Sequence, residues 1–185
     1  MTIASVRWNG APAKGRSLNV TARLKIDPLR ESHAQAMFPR LLDERIYRYI
    51  AGKPPASVAA LAERYRRLEA GSSDPGQQWL NWCLFRLDDG TPIGSLQSTI
   101  LVRERVAWVA YVLSPDAWGH GYARESLLWL LGHLETAGTV DVARARIDSR
   151  NTPSQAVVQA LRFERRADVV EDGAVDFVYE KRLRS

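Results

Sequence analysis

An almost wholly apolar stretch, residues 106–113, is the feature that most constrains how this chain can fold. Its composition predicts a β-strand, and the lack of alternating polar positions indicates that both faces of that strand are covered. A predicted turn at residues 103–104 precedes the stretch, and Pro115 follows it. The chain must therefore build a sheet with packed layers on both sides of this strand.

The periodicity of the apolar residues predicts the other elements. Strands are predicted at residues 18–26, 79–87, 93–102, 143–148, 163–169 and 175–179. Helices are predicted over residues 31–42, where Pro39 should break or kink the helix, from Ser57 onward, after residue 121, and from Asn151 onward. Strands and helices in this order imply an α/β fold, a mixed sheet with helices on both faces.

The charge of the chain bears on its partners. A net charge of +5 favours an anionic partner such as a phosphorylated cofactor, an acidic substrate or nucleic acid. Basic and acidic residues alternate along the chain, however, which is typical of a solvated surface. The sequence contains no helix-turn-helix spacing and no basic–aromatic stripe, so nucleic acid is not an expected partner.

The sequence also indicates a compartment and a domain organisation. Cys83 is the only cysteine, so no disulfide can form within the chain, and we expect a cytoplasmic protein. The longest apolar run, residues 127–131, is far too short to span a bilayer. We expect residues 1–17 to be a flexible leader without a secretory signal and residues 18–185 to form a single domain. His33 and His133 have no Cys or His partner at metal-ligand spacing, so no metal site is predicted.

A glycine-containing loop between the central strand and the next helix has the properties of an anion site. A helix N-terminus presents unpaired N–H groups and the positive end of the helix dipole. Glycines allow a phosphate to approach the backbone closely. The alternative interpretation is a plain tight turn, since neither a Walker loop nor a Gly-x-Gly-x-x-Gly fingerprint is present. The loop is Trp118-Gly119-His120-Gly121-Tyr122-Ala123.

Residues 110–125, with the order of the surrounding elements, resemble the GNAT family of N-acetyltransferases. The likeness is greatest to the branch that acetylates the N-termini of ribosomal proteins, whose cofactor loop often contains Trp-Gly-x-Gly-Tyr-Ala. The family pattern Gln/Arg-x-x-Gly-x-Gly/Ala maps onto Trp118, Gly121 and Ala123. Arg162 stands where the family has glycine, so the turn there is expected to differ. The second matching motif comprises Asn151, Ser154, Val157-Val158 and Leu161-Arg162-Phe163.

The resemblance implies a mostly antiparallel sheet of six to seven strands, in which the strands holding Val112 and Ala145 splay apart to admit acetyl-CoA. It implies that backbone groups of Val112 and Leu113 bind the pantetheine arm. The Leu113 N–H would stabilise an oxyanion, and Ser154 would relay a proton to sulfur. Asn151 is equally a candidate helix cap. The cofactor-binding residues that the resemblance implies are Tyr111, Val112, Leu113, Trp118, Gly119, His120, Gly121, Tyr122, Ala123, Arg124, Asn151 and Ser154.

Two groups that family members often use for proton transfer are absent. Val158 stands at the usual tyrosine position and Trp108 at the usual glutamate position. Glu104 and Asp148 are alternative bases, although both are equally explained as surface charges. Two functions therefore stay open: transfer of an acetyl group from acetyl-CoA to a primary amine, and non-catalytic acyl-CoA binding or regulation.

The amine acceptor is open at this stage among a protein N-terminus, an amino acid, a polyamine and an aminoglycoside. Residues 46–76 hold more Arg and Lys than Asp and Glu, which disfavours the two cationic classes. A homodimer is a reasonable expectation, because two-fold dimers are the commonest oligomers.

Overall fold

Seven strands form one mixed sheet in the computed structural model, which describes residues 19–171 and 173–183. The strand order is β1-β2-β3-β4-β5-β7-β6, and β4 with β5 is the one parallel pair among the described strands. The predicted α/β class and the predicted order of elements are confirmed. The strands are β1 (Leu24–Pro28), β2 (Gln77–Arg86), β3 (Pro92–Leu101), β4 (Val106–Leu113), β5 (Val142–Asp148), β6 (Glu164–Glu171) and β7 (Ala174–Arg182).

The helices lie at the predicted places. Ser57 caps α2 by accepting a hydrogen bond from the Ala60 N–H, as its position predicted. The first predicted helix is divided into 3₁₀ turns around a short α-helical segment, and Pro39 lies in the turn that ends it. No helix of the described residues is long and apolar enough to cross a membrane. The α-helices are α1 (Ala34–Met37), α2 (Val58–Ala70), α3 (Tyr122–Ala137) and α4 (Thr152–Ala160).

The first strand differs from its predicted bounds. Residue 18 lies outside the described residues, and Val20 makes only an isolated bridge with Lys25. The predicted stop at Asp27 and Pro28 is wrong, because these residues still pair with Cys83 and Trp82 of β2. A proline is tolerated there since β1 is an edge strand, and its missing N–H disrupts no central ladder.

Alternation along β2 divides the core into two layers. Trp82 and Leu84 belong to the larger cluster, which includes the buried faces of α3 and α4. Cys83 points to the other face and joins a smaller cluster with α1 and α2. The sheet therefore has helices on both faces, as predicted.

The turn after α4 keeps the geometry that a glycine would give, although Arg162 occupies it. Arg162 has φ of 62°, in the left-handed region. The Phe163 N–H donates to the Val158 carbonyl (3.0 Å) and the Arg162 N–H to the Gln159 carbonyl (2.9 Å), which is the Schellman arrangement. The expectation that this turn differs is wrong, because these two hydrogen bonds hold the arginine in the conformation that glycine favours.

Candidate active site

The central parallel pair of strands opens into a gap. β4 and β5 pair only where residues 106–108 face residues 142–144, although β4 continues to Leu113 and β5 to Asp148. β3 pairs with β4 as far as Leu113, and β7 pairs with β5 as far as Asp148. The gap between residues 109–113 and residues 145–148, called the seam below, is the predicted splay.

The register of β4 shows which of its backbone groups face the seam. The Ser114 N–H donates to the Ile93 carbonyl of the β3 side at 2.9 Å. Hydrogen-bonded and non-bonded pairs alternate along an antiparallel ladder, so Val112 is bonded to β3 while Tyr111 and Leu113 are not. The N–H groups of Tyr111 and Leu113 therefore point into the seam, where β5 does not pair with them. A ligand with amide groups, such as pantetheine, fits such an unpaired strand edge.

The glycine loop leads from the end of β4 into α3 and forms the mouth of the seam. Gly119 and Gly121 have φ of 76° and 79°, values that side-chain-bearing residues rarely adopt. Trp118 fastens the loop to the strand, because its indole Nε1–H donates to the Leu113 carbonyl at 2.9 Å. Gly121 precedes α3, so the N–H groups of the first turn, from Tyr122 onward, are free of intrahelical partners. The geometry is that of a helix N-terminal phosphate site.

Two residues that the sequence analysis did not single out brace this loop. Arg23 donates from Nε to the Glu125 carboxylate (2.7 Å) and from a terminal nitrogen to the His120 carbonyl (2.9 Å). Burial alone would raise the pKa of Glu125, but hydrogen bonds from Thr21 and Arg23 outweigh it, so the pKa is lowered. A guanidinium is thereby held beside Gly121, where a Cβ atom would lie 3.5 Å from it. The glutamate in the first turn of the helix was visible in sequence, but its distant partner was not.

The N-terminus of α4 forms the other wall. The Asn151 side chain accepts a hydrogen bond from the Ser154 N–H at 3.3 Å, so Asn151 is a helix cap in this structure. The Tyr111 hydroxyl donates to the Ser154 Oγ at 3.1 Å, which joins β4 to α4. Burial raises the pKa of Tyr111 although the bond to Ser154 lowers it, so the phenol stays protonated at neutral pH. The structure thus brings Tyr111 and Ser154 together.

The alternative bases are placed less favourably. Asp148 is bonded to Arg150 through side chain and backbone, and these hydrogen bonds hold its pKa at about 2. A carboxylate with so low a pKa is a poor proton acceptor at neutral pH. Glu104 lies in the turn before β4, at the end of the strand where β4 and β5 still pair. Val158, at the position where family members often have a tyrosine, is buried in the core.

No group of His, Cys, Asp or Glu in residues 19–171 and 173–183 is arranged to hold a metal ion.

Comparison with known proteins identifies the family. The model of the acetyltransferase (GNAT) domain matches residues 23–164 of this sequence. The chain therefore belongs to the GNAT acetyltransferase family. A comparison with curated proteins gave no match.

Solved structures share the fold at low sequence identity. RimL, the ribosomal L7/L12 alpha-N-protein acetyltransferase, solved in complex with coenzyme A, is 16% identical, with a TM-score of 0.77 over 90% of this chain and 97% of that one. The acetyl transferase from Salmonella typhimurium that modifies the N-terminal serine of 50S ribosomal subunit protein L7/L12 is 16% identical, with a TM-score of 0.76 over 89% and 97%. A GNAT acetyltransferase from Bacillus anthracis is 15% identical, with a TM-score of 0.75 over 88% and 96%.

Family membership settles the class of reaction. The chain is an acetyl-CoA-dependent N-acetyltransferase of the GNAT type. The comparisons give no support to the non-catalytic alternative.

Proposed function

We propose that the seam is where this enzyme holds acetyl-CoA and transfers the acetyl group directly to a primary amine, of a protein N-terminus or of a small molecule. The observation that carries the proposal is the seam itself. Unpaired backbone groups of β4 lie at its side and the braced glycine loop at its mouth. Acetyl-CoA supplies an activated thioester, and the protein supplies its position and surroundings.

The cofactor-binding residues divide by the part of the molecule they would hold. Amides of the loop and of the first turn of α3 would bind the pyrophosphate, with Arg23 adding a positive charge beside Gly121. Tyr111 and Leu113 would pair with the pantetheine amides. The Val112 backbone, which the resemblance assigned to the pantetheine arm, is instead bonded to β3, so Val112 would support the strand edge without pairing with the cofactor. The residues assigned to the loop part are Trp118, Gly119, His120, Gly121, Tyr122, Ala123 and Arg124.

The transfer makes one bond and breaks one. The neutral amine attacks the thioester carbonyl, the C–N bond forms, and the C–S bond breaks. The Leu113 N–H, free of β3, would stabilise the negative charge that develops on the carbonyl oxygen. The amine gives its proton to water, because Asp148 and Glu104 are not placed to accept it.

Protonation of the leaving thiolate falls to a pair of hydroxyl groups. Ser154 would give its proton to sulfur and take one from Tyr111, to which it is already hydrogen-bonded, and water carrying the proton released by the amine would reprotonate Tyr111. The pair replaces the tyrosine that family members often carry at the position of Val158. Asn151 would position Ser154 by fixing the start of α4.

A binding titration followed by a turnover assay tests the proposal. Acetyl-CoA is titrated calorimetrically, with coenzyme A and adenosine 3′,5′-bisphosphate as controls, and thiol release is then followed with a panel of amines. We expect micromolar binding that requires the pantetheine arm, and amine-dependent thiol release. Absence of binding by folded protein would refute the proposed site, and binding without turnover on any amine would refute catalysis there.

We further propose that the enzyme acts in the cytoplasm. Support comes from Cys83, which is buried and free, so the fold does not depend on a disulfide. Burial raises the pKa of its thiol to about 12, so the thiol is a poor nucleophile at neutral pH.

A further inference from the structure

A narrow cleft lies on the opposite face of the sheet from α3 and α4. It is enclosed by α2, by the chain between α1 and α2, and by β2, β3 and β4, and its volume is about 60 Å³. Val112 forms part of its floor, while the neighbouring residues Tyr111 and Leu113 present their backbone to the seam. A molecule in this cleft, called the α2 cleft below, therefore lies against the strand whose free edge borders the seam.

A buried hydroxyl group at this cleft has no oxygen or nitrogen partner. Tyr65 lines the cleft and is only 3% exposed, yet its hydroxyl makes no hydrogen bond with an oxygen or nitrogen atom of a described residue. Its polar neighbour in the core is the Cys83 thiol, which is a weak hydrogen-bonding group. Burial raises the pKa of Tyr65, so the hydroxyl keeps its proton and can donate it to a ligand. Such groups are rare in native proteins, since a buried hydroxyl without a good partner loses the hydrogen bonds that water would give it.

The charge of the cleft is one-sided. Arg64 lines it next to Tyr65, and none of the fourteen lining residues is acidic. Arg64 makes no ion pair among residues 19–171 and 173–183, in contrast to Arg66 nearby, which pairs with Glu31 and Glu63. The remaining polar side chains of the lining are neutral, among them Asn81 and Gln97. A carboxylate is attracted to such a site, and a second cation is repelled from it.

We propose that the α2 cleft is the acceptor subsite and that it selects a primary α-amine with a carboxylate close by. Such an acceptor is either a free amino acid or the N-terminus of an acidic peptide. Arg64 and the Tyr65 hydroxyl bind its carboxylate, and the amine lies toward Val112 and the thioester. This inference rests on the function proposed for the seam and names its acceptor class.

The test compares peptide acceptors that differ in the charge of one side chain, together with free amino acids, at physiological ionic strength. The probes are the amidated tetrapeptides Ala-Glu-Ala-Ala, Ala-Ala-Ala-Ala and Ala-Lys-Ala-Ala, with free alanine and free glutamate as the small-molecule arm. We expect kcat/KM to be at least about tenfold higher for the glutamate peptide, or for the free amino acids, than for the lysine peptide. The arm with the higher kcat/KM distinguishes the peptide acceptor from the free amino acid.

Two variants show whether the cleft is responsible for this preference. Arg64→Glu should reverse the order of the glutamate and lysine peptides, whereas Arg67→Glu, the same change on α2 outside the lining, should keep it. Tyr65→Phe removes only the unpartnered hydroxyl, so stability should be unchanged or higher, while kcat/KM for the preferred acceptor falls about tenfold. If the Tyr65 hydroxyl had only a structural role, its removal would lower stability and kcat/KM together.

The outcomes separate this inference from the function on which it rests. Equal kcat/KM for all acceptors, a preference for the lysine peptide, or a preference that survives Arg64→Glu would overturn the acceptor class and leave acetyl transfer standing. Binding of acetyl-CoA without turnover of any probe would count against the inference as well, since the panel contains its acceptors. Failure to bind acetyl-CoA at all would overturn both.

Discussion

Replacing Gly94 with alanine should disrupt the cofactor site from the neighbouring strand. Gly94 of β3 pairs with Leu113 of β4, and the other edge of β4 borders the seam. A Cβ atom at Gly94 would lie 2.9 Å from the Leu113 Cα atom and closer still to the Val112 carbonyl oxygen. Both are backbone atoms, so no side-chain rotation can relieve the overlap.

The size of the effect follows from the displacement. Carbon atoms in contact prefer a separation of about 3.5–4.0 Å. The Leu113 Cα atom would lie 2.9 Å from the new Cβ atom, so β4 must move away from β3 by roughly 0.6–1 Å. Overpacking of this kind costs about 1–3 kcal/mol of stability. A misplacement of about 1 Å in a catalytic site can lower activity by about 10²-fold. We therefore expect a folded but destabilised variant, with acetyl-CoA affinity reduced at least tenfold.

Urea denaturation and calorimetric titration with acetyl-CoA measure the two effects. Gly132→Ala is the matched control, because no atom lies within 4 Å of a Cβ at that position. Gly132 lies inside α3, so the control should gain about 0.5–1 kcal/mol and bind acetyl-CoA as the unchanged protein does. A folded Gly94→Ala protein with unchanged affinity would show that the cofactor does not depend on the edge of β4.

Three further predictions concern the loop, the hydroxyl pair and the turn after α4. Gly121→Val should abolish acetyl-CoA binding in a protein that still folds, since φ of 79° is strained for valine; unchanged calorimetric affinity would contradict the loop assignment. Ser154→Ala should lower kcat for thiol release about 10²-fold with acetyl-CoA affinity retained, and Tyr111→Phe should do so less; an unchanged kcat in Ser154→Ala would mean that another group protonates sulfur. Arg162→Gly should raise the free energy of urea unfolding by about 1 kcal/mol, whereas Arg162→Ala should not; equal stability of the two variants would disprove strain at this turn.

Elements with strong local signals could be predicted from the sequence. The central strand has the predicted bounds, 106–113, because a continuous apolar run between two turns leaves little choice of register or length. The N-termini of α2 and α4 begin after Ser57 and Asn151, since a cap is satisfied by N–H groups within the next three residues. The glycine loop was visible for the same reason: positive φ is a property of single residues.

The tertiary structure alone decided how distant elements meet. The Tyr111 and Ser154 hydroxyl groups are 43 residues apart, and Arg23 is 102 residues from Glu125. The missing partner of Tyr65 and the unpaired Arg64 likewise appear only when β2–β4 pack beneath α2. Local periodicity determines which face of an element is buried, but not which side chain lies opposite it. That depends on strand register and helix packing, where a shift of one residue brings different groups into contact.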